Sequence, residues 1–169
     1  LQLPRNTIIW EPACGDGAMS RILERHVESV ISTDLRDESS IYGKRGIDFL
    51  TTTDDDHWHL PNWIITNPPF NVAEGFIRKS LSITPNVAML LKSQYWHAAS
   101  RLQLFNDHPP TFILPLTWRP SFLEKERGSS PLMDVIWVVW RGKTNVTQFQ
   151  PLPRPKNVKP LEDDYEDLL

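Results

Sequence analysis

The sequence predicts an α/β domain built on a mostly parallel sheet. Three observations carry that prediction. Short, apolar, β-rich segments alternate with segments of helical period along residues 7–140. The strand segments are apolar throughout, as strands covered on both faces of a sheet must be. The motifs with chemical character follow directly after strands, where open α/β sheets bind their ligands.

Residues 7–10 (TIIW) read as a buried first strand that runs into the turn CGDG. Residues 18–26 then place Met19, Ile22 and Leu23 at helical spacing. Residues 29–33 (SVIST) form a second strand ending at Asp34. Residues 35–46 are polar and read as loop or short helix, and residues 46–50 (GIDFL) as a short third strand. Residues 62–66 (NWIIT) form a fourth strand, which Pro68 and Pro69 stop because proline cannot donate to a ladder. Residues 72–83 carry Phe76, Ile77 and Leu81 on a helical period, and residues 86–91 (NVAMLL) form a fifth strand. Residues 95–105 predict a helix with Leu102 and Phe105 inward. Residues 111–116 (TFILPL) and 135–140 (VIWVVW) form the sixth and seventh strands around a long polar loop, 118–132. One domain over residues 1–143 accounts for these elements. Residues 144–169 read as a Pro-rich and then acidic tail, extended or disordered.

Composition narrows the function classes. The 169 residues are 40% hydrophobic and 23% charged, ordinary for a globular chain. The single cysteine, Cys14, excludes an intrachain disulfide, and no Cys/His spacing suggests a structural zinc site. Residues 54–59 (DDDHWH) have metal-ligand types but read as a solvated turn, so no metal is expected. No apolar run is long enough for a membrane span and no signal peptide opens the chain, so a cytoplasmic protein is expected. The net charge of -3 is unevenly spread. Residues 1–73 hold 6 basic and 11 acidic side chains, whereas residues 74–143 hold 9 basic and 5 acidic. A positive face beside a pocket would suit a polyanion, and an uneven solvated surface is the plainer alternative.

The first motif, Glu11-Pro12-Ala13-Cys14-Gly15-Asp16-Gly17, follows the first strand. Two glycines let the backbone bend sharply and approach a ligand closely. A helix starting beyond them would favour an anionic group. A dinucleotide fingerprint would need a third glycine where Ser20 stands, and no P-loop lysine is present. Asp34, about 20 residues on, can accept both hydroxyls of a ribose. A helix cap or loop charge is the alternative there. Asp48 could accept a hydrogen bond from an adenine amine.

The second motif, Asn67-Pro68-Pro69-Phe70, is the sharpest in the chain. An exocyclic amine on an aromatic base is a poor nucleophile because its lone pair is delocalised into the ring. The Asn67 side-chain oxygen and the Pro68 carbonyl can each accept one amine hydrogen, favouring a more tetrahedral nitrogen. Two prolines hold these acceptors rigid, and Phe70 offers a face on which a base can stack.

These motifs resemble the class I S-adenosylmethionine (SAM)-dependent methyltransferases, and among them the amino-methyltransferases of DNA adenine N6 or cytosine N4. The likeness covers roughly residues 7–140. It implies a Rossmann-like three-layer sandwich, with a seven-stranded, mostly parallel sheet whose last strand is antiparallel. It implies SAM as cofactor, bound by Glu11, Ala13, Cys14, Gly15, Asp16, Gly17, Asp34, Asp48 and Asn67. Glu11 and the glycine turn would lie along methionine, Asp34 on the ribose and Asp48 on the adenine. Asn67, Pro68, Pro69 and Phe70 match the family's catalytic tetrapeptide, (D/N/S)PP(Y/F/W).

The implied substrate is a nucleic-acid base, DNA before RNA, with adenine N6 foremost. An RNA base, a protein glutamine amide and a non-catalytic binding subunit remain open. Two departures stand out. Only six residues precede the first strand, where the family places a segment against methionine, and no stretch is long enough for a separate target-recognition domain. Low sequence specificity, or specificity supplied by a partner chain or a homodimer, is therefore expected. Within 118–132, Trp118, Arg119 and Phe122 are candidates to meet a flipped base.

Overall fold

A computed structural model describes residues 3–53, 60–120 and 133–156. Its centre is one seven-stranded sheet. The strands are β1 (Ile8–Glu11), β2 (Ser29–Ser32), β3 (Trp63–Thr66), β4 (Asn86–Lys92), β5 (Phe112–Pro115), β6 (Val135–Arg141) and β7 (Gln148–Phe149). They lie in the order β2-β1-β3-β4-β6-β5-β7. The four strands β2, β1, β3 and β4 run parallel. β6 is antiparallel to both of its neighbours, β4 and β5, and β7 is parallel to β5.

The helices α1 (Ser20–Leu23), α2 (Ala73–Ile83) and α3 (Leu102–Asp107) complete the fold. Side chains alternate across the sheet, as the strand period of two requires. Ile64, Val87, Met89, Leu91 and Val138 point to the side covered by α2 and α3. Ile9, Trp63, Ile65, Ala88 and Val139 point to the side where Met19, Leu23 and Val27 pack. The result is the expected three-layer arrangement. On α2 the buried positions Ala73, Phe76, Ile77 and Ser80 recur at helical spacing and seat it on the sheet. Among the described residues no helix is long and apolar enough to cross a membrane.

Four expectations need correction. Residues 46–50 are not a strand. Gly46 has φ 68°, the Asp48 carboxylate accepts Leu50 N–H at 3.0 Å, and the Asp48 carbonyl accepts the N–H of Thr51 and Thr52. Local hydrogen bonding of this kind competes with a ladder and wins here. Residues 135–141 are the antiparallel strand, as expected, inserted between β4 and β5, but the seventh strand in chain order is the two-residue β7, in the segment read as tail. The helix expected over 95–105 is broken into 3₁₀ turns at Ser93–Trp96 and Ala99–Arg101 before α3. Leu102 is 65% exposed, and Leu104 fills the core in its place. Finally, α1 has only four regular residues, so little aligned dipole stands behind the anion preference expected at its start.

Candidate active site

The strand order reverses direction between β1 and β3, and the crevice at the carboxyl ends of such a pair is where open α/β sheets take ligands. A cleft of about 1580 Å³ opens there and continues along the sheet face past Ile65, Ala88 and Trp137. One wall holds Glu11, Ala13, Cys14, Gly15, Asp16, Asp34 and Asp48, and the other Asn67, Pro68, Pro69 and Phe70. Of the cofactor-binding and catalytic residues expected from sequence, Gly17 alone does not line it.

Gly17 has a structural part in the wall. Its φ of 84° lies in the left-handed region, and a Cβ there would run into the Tyr42 ring. Tyr42 is placed by its N–H, which donates to the Gly15 carbonyl at 2.9 Å, and by its hydroxyl on Glu24. The polar segment 35–46 therefore folds back over the glycine turn. Within the turn, Gly17 N–H donates to the Cys14 carbonyl at 2.9 Å, and the Asp16 carboxylate accepts Ala18 N–H at 3.1 Å. Cys14 is buried, and burial pushes its thiol pKa up, which leaves a packed thiol rather than a nucleophilic thiolate.

Two acids set the electrostatics of this wall. Asp34 is buried, and its oxygens accept Gly15 N–H at 2.9 Å, Arg36 N–H at 3.0 Å and the Arg36 guanidinium at 3.0 and 3.2 Å. Burial pulls its pKa upward, but the hydrogen bonds from Arg36 and Gly15 outweigh it and hold the carboxyl below its usual range. Glu11 behaves in the opposite way. Buried at the end of β1, it is pushed up to about 8 by desolvation, despite a hydrogen bond from the Ser20 hydroxyl. The Ser20 and Ser32 hydroxyls lie 2.6 Å apart, extending this network to β2.

The facing wall is set by β3. Thr66 is fully buried, and the chain then turns at the prolines. The Pro69 carbonyl accepts Val72 N–H at 3.1 Å, which closes the turn and starts α2. The Asn67 Oδ1 is buried with no hydrogen-bond partner. Among the described residues the Thr66, Ser80 and Tyr95 hydroxyls are buried without a partner as well, but of these four groups only Asn67 lines the cleft. Phe70 is half-buried, with Lys92 Nζ 4.7 Å from its ring centroid. Lys92 was not singled out from sequence. The available signal was a lysine closing the apolar run NVAMLL at the ligand edge of the sheet. Trp118 lines the same cleft, whereas Phe122 and residues 54–59 lie outside the described residues.

Comparison with solved structures agrees with this architecture. A candidate class I SAM-dependent methyltransferase from Listeria monocytogenes superposes with a TM-score of 0.60 at 11% identity, over 90% of this chain and 59% of that one. The modification (M) protein of the type I restriction enzyme EcoKI gives 0.62 at 12% identity, over 83% and 41%. A dimethyladenosine transferase from Plasmodium falciparum gives 0.60 at 14% identity, over 85% and 60%. This chain has the class I methyltransferase fold. It spans between two-fifths and three-fifths of the length of these structures. No protein-family model and no curated protein matches the sequence.

Proposed function

We propose that the chain is a SAM-dependent methyltransferase acting on an exocyclic amino nitrogen of a nucleic-acid base, with DNA adenine N6 as the foremost target. The observation that carries this reading is the buried, unpartnered Asn67 Oδ1, set across one cleft from the glycine turn. An amino group entering between the walls would satisfy that oxygen. Asn67 and the Pro68 carbonyl would then draw on the two amine hydrogens, localise the nitrogen lone pair and stabilise the positive charge that grows on nitrogen. Their fixed turn makes this preorganised, and Phe70 would hold the base by stacking.

The opposite wall suits the cofactor, which supplies an electrophilic methyl group when bound. The glycine turn permits close backbone approach. The exposed apolar side chains of Leu35 and Leu50 flank the cleft near Asp34 and Asp48, where an adenine would sit. Ribose hydroxyls could exchange with the Arg36 guanidinium as donors to Asp34, whose remaining bond to Gly15 keeps it in place. Residues 1–143 would form the body of this methyltransferase unit, with β7 from the following segment completing its sheet.

The decisive assay is transfer of label from radiolabelled SAM to unmethylated DNA by wild type and Asn67→Ala. Wild type should transfer label, and the variant should lose at least about 100-fold, the scale of a lost preorganised acceptor. Equal, negligible transfer by both would end the proposal. RNA and protein acceptors in parallel reactions identify the substrate class.

A further inference from the structure

The rim of the cleft beside Phe70 holds a positive charge that amine methylation itself does not use. Lys92 ends β4 and places Nζ 4.7 Å from the Phe70 ring centroid. Among the described residues no carboxylate is ion-paired with it. Lys92 is paired with Val135 on β6, and the next N–H, that of Ser93, donates to the Asp134 carbonyl at 2.9 Å. The Asp134 carboxylate in turn holds Arg119 Nε at 2.7 Å. Both members of that pair are about half exposed, so another anion can replace Asp134 at little cost. Trp118 and Pro120, on either side of Arg119, line the same cleft as Phe70.

At this corner of the sheet Lys92 thus lies against the Phe70 ring, and Arg119 is held by the residue next to the ladder partner of Lys92, between two residues that line the cleft. A protein amide or a free nucleoside brings no anion to such a corner. An unstacked nucleotide within a strand brings a ring for the aromatic faces and a phosphate for the cations. Resting on the base-methylation reading above, we infer that Lys92 leaves the Phe70 ring for the phosphodiester adjoining the target base while the base takes its place on that ring, so that the substrate is a polynucleotide presenting an unstacked nucleotide. Arg119 stands as the second contact to the same backbone.

The test is binding, which needs no methyl transfer. Affinity of the whole chain for a fluorescent single-stranded oligodeoxynucleotide is measured by anisotropy across a salt series. Wild type, Lys92→Gln and Lys92→Arg are compared. Glutamine keeps a polar side chain at the site and removes the charge, and arginine restores the charge. The slope of log affinity against log salt should be shallower by about 0.7 in Lys92→Gln, the share of one phosphate on a single strand, and return in Lys92→Arg. Equal slopes in wild type and Lys92→Gln, or no binding by wild type, would overturn the inference. Should the slope difference appear while wild type transfers no label to any acceptor, the catalytic reading falls and the phosphate contact stands.

Discussion

Asp34 and Gly15 are joined by a hydrogen bond of 2.9 Å from the glycine N–H to the carboxylate, which ties the end of β2 to the turn that follows β1. The acid that would meet a ribose therefore also shapes the loop that would meet methionine. Asp34→Ala should leave the Gly15 N–H and the Arg36 guanidinium without their acceptor, costing about 1–3 kcal/mol in urea unfolding and weakening SAM binding in calorimetry. The folded-state pKa is lowered, so the contribution of Asp34 is present above the ordinary Asp value of 3.8 and lost as pH falls through the lowered value. The stability gap between wild type and Asp34→Ala should hold at neutral pH and close in acid.

Glu11 predicts the reverse dependence. Its pKa rises from 4.5 to about 8 on folding, chiefly by burial. The folded carboxyl keeps its proton where the unfolded one has lost it. The contribution of Glu11 is fully present below pH 4.5, declines by about 1.4 kcal/mol per pH unit above it, and levels off beyond about 8. Glu11→Gln should flatten this part of the stability profile, as read from unfolding curves across that range. A slope unchanged by the substitution would mean that Glu11 is ionised in the fold.

Two of the left-handed glycines, Gly17 and Gly46, make a matched pair. Both have positive φ, but a Cβ at Gly17 meets the Tyr42 ring, while one at Gly46 meets open space. Gly46→Ala should cost about 1–2 kcal/mol for the backbone alone. Gly17→Ala should cost more and should also weaken SAM binding, because Tyr42 must shift and carries the Gly15 contact with it. Comparable melting temperatures for the two variants would show that Tyr42 moves freely.

Asn67 offers a separation of stability from activity. Its Oδ1 has no partner to lose. Asn67→Ala should therefore leave thermal stability unchanged or raise it by up to about 1 kcal/mol, while abolishing label transfer. A large drop in stability would mean that the oxygen is satisfied in solution and is not an acceptor in waiting.

The legible parts of the sequence were those in which local chemistry and tertiary structure agree. Residues 67–70 could be placed at a strand end because two prolines cannot continue a ladder, and the glycine turn because Gly15 and Gly17 take positive φ there. GIDFL misled because Ile47, Phe49 and Leu50 look like a strand, whereas Asp48 caps a turn and Phe49 packs edge-on to Trp10 in the core. Leu102 and Leu104 were exchanged because the helix begins after two 3₁₀ turns, which rotate its inward face. β7 has only two residues and so no period to read. The part proposed for Lys92 depends on Phe70, in the turn after β3, and its place at the end of the run NVAMLL is only a weak local sign of it.

The insertion of β6 beside β4 has a temporal consequence. Lys92 and Val135 are neighbours in the ladder, yet α3 and β5 lie between them along the chain. During synthesis, β1 to β4 leave the ribosome first, with the glycine turn and Asn67 already made, while the strand that completes their edge is still to come. Until it docks, Met89 and Leu91 lie on an unpaired strand edge, the point at which the growing sheet is open to pairing with another chain.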